Sequence, residues 1–234
     1  MRVHARRPAR YARGMPHLLI ADDHPLFRVA LMQALRGVLA DVQLSEAASV
    51  AQAREALERT QDIDLVLLDL HLPDSLGLVG LATLRQEFPA VAVVMISAHD
   101  DPAVIRRALA YGASGFIPKR IDLKELTEAL ETVLDCREWV PVELRGAVAR
   151  SQPSSTDTQL AQRLASLTAQ QFKVLRLVAE GRLNKQIAGT LGVQERTVKA
   201  HLSAIFEKLG VHNRTQAGVL LRSLELNDPS RRED

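Results

Sequence analysis

The chain has 234 residues, of which 47% are hydrophobic and 25% charged, enough apolar material for one large core or two smaller ones. Neither end supplies an apolar run with the flanks of a signal or membrane span, which points to a cytoplasmic protein with no membrane role, and the lone Cys136 excludes an internal disulfide framework. The net charge of +2 conceals a polarity: residues 15–139 carry 11 basic and 19 acidic groups, whereas residues 167–214 carry eight basic and three acidic ones, so an acidic part suited to a cation precedes a basic part suited to a polyanion.

Residues 1–14 hold five Arg and no acid. They read as a disordered basic extension: a DNA-contacting arm, a targeting peptide without an apolar run, or, most simply, an overextended start ahead of Met15. From His17 onward, short apolar runs alternate with segments of helical spacing. Strands are predicted over 18–21, 64–68, 91–96 and 115–117, with a weaker one near 42–46. Helices are predicted over 26–39, 49–59, 76–87, 102–111 and 122–135. Five alternating strand–helix units make an α/β unit over 15–139 with a mostly parallel sheet covered on both faces, whose functional groups gather beyond the C-terminal ends of the strands.

The pattern breaks around 145–166. The stretch Ser151 to Asp157 has little to bury, so residues 140–166 are expected to form a linker. Helices follow over about 168–180, 184–191, 195–209 and 213–226, within a unit placed at 167–228 and followed by a tail at 229–234. Thr168 can cap the first with Gln171 in a capping-box arrangement, Asn184 can cap the second and Asn213 the fourth, while Gly181, Gly192 and Gly210 act as stops. The second and third helices, joined by Gly192, Val193 and Gln194, have helix-turn-helix spacing.

Asp22 and Asp23 follow the first strand, Asp69 ends the third, Ser97 follows the fourth and Lys119 the fifth. Parallel strands can bring these groups together, and three close carboxylates require a compensating cation or proton. A hard divalent ion such as Mg²⁺, held by oxygen ligands, fits that need. One carboxylate as nucleophile, two holding a metal, and a hydroxyl and an ammonium to recognise the product together suit an aspartyl phosphate. Alternatives are a Mg²⁺-dependent phosphohydrolase and a regulator working through contacts without phosphorylation. His24 more simply opens the first helix or lines the rim than acts as a base. His71 and His99, together with Asp22 and Asp23, invite a zinc reading, which the lack of compact ligand spacing disfavours.

The ordered set Asp22, Asp23, Asp69, Ser97 and Lys119, with the strings LLIADDHPLF, DLVLLDLHLPDSLG, VVMISAHDD and YGASGFIPK, resembles a response-regulator receiver domain. That resemblance implies a flavodoxin-like five-stranded sheet of order 2-1-3-4-5. It implies that Asp69 accepts phosphate from a histidine kinase or a small phosphodonor, that Asp22, Asp23, Asp69 and the Leu70 carbonyl hold Mg²⁺, and that Ser97 and Lys119 sense the phosphoryl group. Phe116 falls at the family's aromatic switch position, although a core aromatic explains it equally. His71 and His99, two residues beyond Asp69 and Ser97, fall where receivers tune phosphoryl lifetime.

In the basic part, Lys185, Arg196, Lys199, Lys208 and Arg214 cluster across the helix-turn-helix, and a recognition helix over 195–209 would present Arg196, Lys199 and Ala200 while burying Val198, Leu202 and Ile205. The strings NKQIA, TVKAHLSAIFEKLGV and NRTQA resemble the LuxR-type helix-turn-helix of the NarL/FixJ class. This implies a separate four-helix all-α domain that contacts double-stranded DNA through Asn184, Lys185, Arg196, Thr197, Lys199 and His201, and dimerises through its last helix. Gln170 and Gln171 stand where the family commonly has Arg-Glu, Gln186 replaces a frequent Glu and Leu183 a common Ser. These changes remove ion pairs but not the basic surface. An RNA-binding antiterminator is the remaining alternative for this end.

Overall fold

The computed structural model describes residues 15–39, 41–151 and 155–224; the basic extension 1–14 and the tail 229–234 lie outside the described residues. Five strands, β1 (His17–Ala21), β2 (Gln43–Ala47), β3 (Leu65–Asp69), β4 (Ala92–Ser97) and β5 (Gly115–Pro118), form one parallel sheet of order β2-β1-β3-β4-β5. Helices α1 (Pro25–Val38), α2 (Val50–Arg59), α3 (Val79–Glu87), α4 (Pro102–Ala110) and α5 (Leu123–Leu134) connect and follow them. The period-2 alternation sorts the apolar residues. Leu18, Ile20, Leu65, Leu67, Val94, Ile96 and Ile117 pack beneath α1 and α5, while Leu19, Val66, Leu68, Val93, Met95 and Phe116 belong to a second core on the opposite face. The strand near 42–46 reads weakly because β2 is an edge strand carrying Gln43, Ser45 and Glu46, of which only Ala47 is buried.

The third predicted helix begins three residues late. Residues His71–Leu72 and Ser75–Leu76 pair instead as a short antiparallel hairpin. At its tip the Asp74 carboxylate accepts the Val50 and Ala51 amides at 2.9 and 2.8 Å, satisfying free N–H groups at the start of α2 and fixing the loop that follows Asp69.

The stretch expected as an irregular linker is largely helical, with α6 (Val142–Arg150) and α7 (Ser155–Ala165). Its apolar residues are few but placed to pack: Val148 is buried from α6, and Leu160, Ala161 and Leu164 share one buried face of α7. Helices α8 (Ala169–Ala179), α9 (Asn184–Leu191), α10 (Glu195–Leu209) and α11 (Arg214–Arg222) complete the chain, and the Thr168–Gln171 capping box forms as predicted. This helical unit packs on the sheet unit through one continuous apolar cluster. Polar ties reinforce it: Leu78 N–H donates to Leu224 O at 3.0 Å, Gln86 to Leu164 O at 2.9 Å, and Arg107 to both Asp157 and Ser223 O at 3.1 Å.

Tyr111, buried at the end of α4, reports on this junction. Burial, reinforced by the Asp157 charge and opposed by Arg107, pushes its phenol up to about 12. The folded state therefore holds the proton more tightly than the unfolded chain, whose phenol titrates near about pH 10. The stability this contributes is complete below about pH 10 and is lost as pH rises toward about 12. In urea unfolding across that window Tyr111→Phe is expected to show a shallower alkaline decline than the parent chain.

Candidate functional site

All the strand-end groups singled out from sequence meet at one end of the sheet. Lys119 Nζ lies 2.7 Å from Asp22 Oδ2 and 3.0 Å from Asp69 Oδ2, bridging the ends of β1 and β3. The strand register explains the convergence: β3 is paired with β1 on one side and β4 on the other, and β5 extends the sheet beyond β4. Asp22 and Asp69 are buried, and Ser97 is fully enclosed with its hydroxyl accepting the His99 amide at 3.1 Å. Lys119 N–H donates to Ser97 O at 2.8 Å, so the hydroxyl loop and the lysine loop are tied together by backbone. His71 and His99, two residues beyond Asp69 and Ser97, stand with rings edge-on, centroids 6.4 Å apart. Phe116 is wholly buried one residue into β5, and its amide donates to Trp139 O at 3.0 Å.

The electrostatics suit a reactive carboxylate held in check. Burial raises the Asp69 pKa above its ordinary value, Lys119 pulls against that rise, and the charge of Asp22 adds to it. Burial alone would lower the pKa of Lys119, but its hydrogen bonds and charge contacts with Asp22 and Asp69 outweigh burial and raise it. The lysine is thus a firmly charged counterion.

The acid cluster fits a hard divalent cation. Ligand atoms of Asp22, Asp23, His24 and Asp69 all lie within 4.8 Å of one another, with the buried Asp22 Oδ2 faced by the Lys119 ammonium at 2.7 Å and Asp23 Oδ1 by the His24 ring at 2.8 Å. Carboxylate oxygens of this kind prefer oxygen-seeking ions. Leu70, which follows directly after Asp69, is buried with its N–H on Ile96 O.

In the helical unit, α9 and α10 form a helix-turn-helix about Gly192, which sits in the left-handed region at φ 66°. Val198, Leu202, Ile205 and Leu209 are buried, whereas Lys185, Arg196, Lys199 and Ala200 are exposed and Asn184, Thr197 and His201 are half-buried. Among the described residues the exposed Lys199 pairs only with a Glu195 carboxylate at 3.4 Å, a solvent-screened pair worth little and easily exchanged for another anion. Asn184 is not the cap of α9. Leu183 holds that position and its N–H is taken by Gln186 at 2.8 Å, while Asn184 accepts from Arg214 at 3.2 Å. The amides that depart from the family pattern are used: Gln171 Oε1 takes both the Thr168 amide and Lys208 Nζ.

Residues 18–131 match the family model for the response regulator receiver domain, and residues 165–221 match that for bacterial regulatory proteins of the luxR family. The chain is 40% identical over 206 residues to a glycerol metabolism activator of Pseudomonas putida, with 87% of this chain and 93% of that protein aligned. This chain is a response regulator. Other relatives include a probable transcriptional regulatory protein NarL of Mycobacterium tuberculosis, 34% identical over 86% of this chain and 90% of that one. The fold is that of a Salmonella typhimurium RcsB response regulator, at TM-score 0.54 and 22% identity over 90% of this chain and 99% of that one. Membership makes the protein a transcriptional regulator with a receiver and a LuxR-type helix-turn-helix.

Several residues that build this response regulator's site were not among those predicted. Arg28, one turn after His24 on α1, donates to Asp22 O at 2.6 Å and pairs with Glu46 at 3.0 Å, holding the loop that carries the acids. Phe27 supports Lys119, whose Nζ lies 4.7 Å from the ring centroid. Arg120 pairs with Asp100 across the mouth, next to His99 and Lys119. Only the position of Arg28 and Phe27, directly downstream of the acid pair, offered a signal in the sequence.

Proposed function

We propose that this response regulator accepts a phosphoryl group on Asp69, from a histidine kinase or a small phosphodonor, and thereby controls DNA binding by its helix-turn-helix. The observation that carries this reading is the Lys119 ammonium bridging Asp22 and Asp69 in a pocket otherwise built from carboxylates. An Asp69 carboxylate oxygen attacks phosphorus, the donor's bond to phosphorus breaks, and the donor group departs with the electron pair. Mg²⁺, held by Asp22, Asp23, Asp69 and the Leu70 carbonyl, would supply charge neutralisation for the incoming phosphoryl oxygens. Lys119 then turns its ammonium from the carboxylate to a phosphoryl oxygen. Ser97 follows with its hydroxyl, and Phe116 repacks in the space Ser97 vacates. His71 and His99 set how readily water reaches the product. The chain's own chemistry goes no further than this phosphorylation and its hydrolysis, in the cytoplasm.

On DNA, α10 enters the major groove with Arg196, Lys199 and His201, while Asn184, Lys185 and Thr197 meet phosphate, and two copies of the chain read a two-fold-related site. The experiment is to incubate the parent chain and Asp69→Asn with Mg²⁺ and a radiolabelled acyl phosphate, then measure affinity for a DNA site selected with the parent protein. Asp69→Asn is expected to lose labelling to background and to show no phosphodonor-dependent gain in affinity. His71→Ala and His99→Ala keep labelling but change its lifetime severalfold. Labelling that persists in Asp69→Asn removes Asp69 as acceptor.

A further inference from the structure

The acid cluster contains a ring nitrogen that an oxygen-only cation site does not need. His24 Nδ1 lies 3.2 Å from Asp22 Oδ1 and 2.8 Å from Asp23 Oδ1. Neighbouring ligands of a six-coordinate ion with bonds near 2.1 Å are about 3.0 Å apart, so each of these two nitrogen–oxygen distances has the spacing of neighbouring ligands around one ion. The two edges of the Asp22 carboxylate are divided: Oδ2 faces the Lys119 ammonium at 2.7 Å, and Oδ1 faces His24, whose backbone N–H also donates to it at 2.8 Å. That backbone bond, with Pro25 starting α1 immediately afterwards, fixes where the His24 ring can go.

We propose that His24 is a ligand to the divalent cation of this site and gives it a preference for nitrogen-seeking ions such as Zn²⁺ or Ni²⁺ over Mg²⁺, an inference that rests on the acid cluster being the cation site proposed above. An ion seated among Asp22, Asp23 and Asp69 displaces the Nδ1 proton to Nε2 and takes the Nδ1 lone pair in place of one water. Mg²⁺ gains little from that exchange, because it holds water and carboxylate oxygen in preference to imidazole. Later first-row ions gain a bond that suits them. The His24 side chain is exposed, so its replacement leaves the buried acids and Lys119 in place.

The test is calorimetric titration of the full chain with Zn²⁺, Ni²⁺ and Mg²⁺, in the parent, His24→Ala and His24→Asn, together with ¹⁵N spectra of the assigned His24 ring during Zn²⁺ addition. The expected result is a loss of about tenfold or more in Zn²⁺ and Ni²⁺ affinity in both variants, a change in Mg²⁺ affinity under about twofold, and a large Nδ1 shift on Zn²⁺ binding. Equal weakening of all three ions means that His24 only positions the acids and overturns the proposal. So does a His24 ring that Zn²⁺ leaves unmoved. Failure of the parent chain to bind any of the ions at the acids, read from unshifted Asp22 and Asp69 resonances, overturns the underlying cation site as well.

Discussion

Lys119→Met is expected to lower the free energy of unfolding by about 3 kcal/mol in metal-free buffer, because it leaves two buried carboxylates facing each other with no cation between them. The lysine now answers both: its ammonium is within 3.0 Å of Asp22 and Asp69 and only slightly exposed, and those contacts overcome the burial that would otherwise lower its pKa. Methionine keeps the length and apolar stem, including the packing over Phe27, so the change removes charge with little change of shape. The cost stays below the ideal desolvation penalty of a bare ion pair because one carboxyl can take up a proton. Asp69, already raised by burial, is the one expected to do so. Two controls separate charge from packing. Added Mg²⁺ restores most of the loss in urea unfolding, since a divalent ion supplies the missing positive charge. Asp22→Asn in the Lys119→Met background restores it without metal, giving a coupling energy in the double-mutant cycle. A loss under about 1 kcal/mol that neither control changes means that Lys119 is not what balances the acids.

Much of this site was legible because parallel strands end together. Asp22, Asp69, Ser97 and Lys119 each stand at or just after the last residue of a strand, and pairing in register brings those ends side by side whatever lies between them in the chain. The helices of the DNA-binding unit were legible through their stops, with Gly192 and Gly210 both at positive φ where predicted turns fall. What sequence hid was set by contacts between elements. Two-residue strands have no periodicity, so the hairpin over 71–76 was absorbed into the following helix. Helix α7 begins Ser155-Thr156-Asp157, a composition that reads as loop, and is helical because Leu160, Ala161 and Leu164 find a partner surface on the rest of the chain. Asn184 had the residue type of a cap, but the cap fell one residue earlier and left its amide to Arg214. His24 reads as opening the first helix or lining the rim, because adjacency to the acid pair in sequence does not say how near the loop turns its ring to their carboxylates.

Gly115→Ala is expected to cost about 2 kcal/mol of stability and to uncouple phosphorylation from DNA binding while leaving Asp69 labelling intact. After α5 the chain returns along the open edge of β5: Trp139 N–H donates to Ser114 O at 3.2 Å and Trp139 O accepts the Phe116 amide at 3.0 Å, forming a parallel bridge opposite Gly115. A Cβ on Gly115 would lie 2.6 Å from Trp139 O, a backbone atom with no rotamer to escape into. The substitution therefore has to push the returning segment off the sheet edge, breaking both hydrogen bonds and withdrawing the buried Trp139 from the apolar cluster that includes Ile117, Leu130 and Val133. Trp139 is the chain's single tryptophan, so a red shift of its emission reports the displacement directly. Helix α6 starts at Val142, three residues past this bridge, and leads on to the helical unit. A change at Phe116 passed to the helix-turn-helix through the covalent chain has to cross the bonds that Gly115 permits. In Gly115→Ala the phosphodonor-dependent change in DNA affinity should fall to within about twofold. Trp139→Phe, which keeps the backbone bonds, should retain the coupling. Blue emission, full stability and intact coupling in Gly115→Ala would show that the edge accommodates the methyl and that the signal takes the direct contacts of α3 and α4 with the helical unit instead.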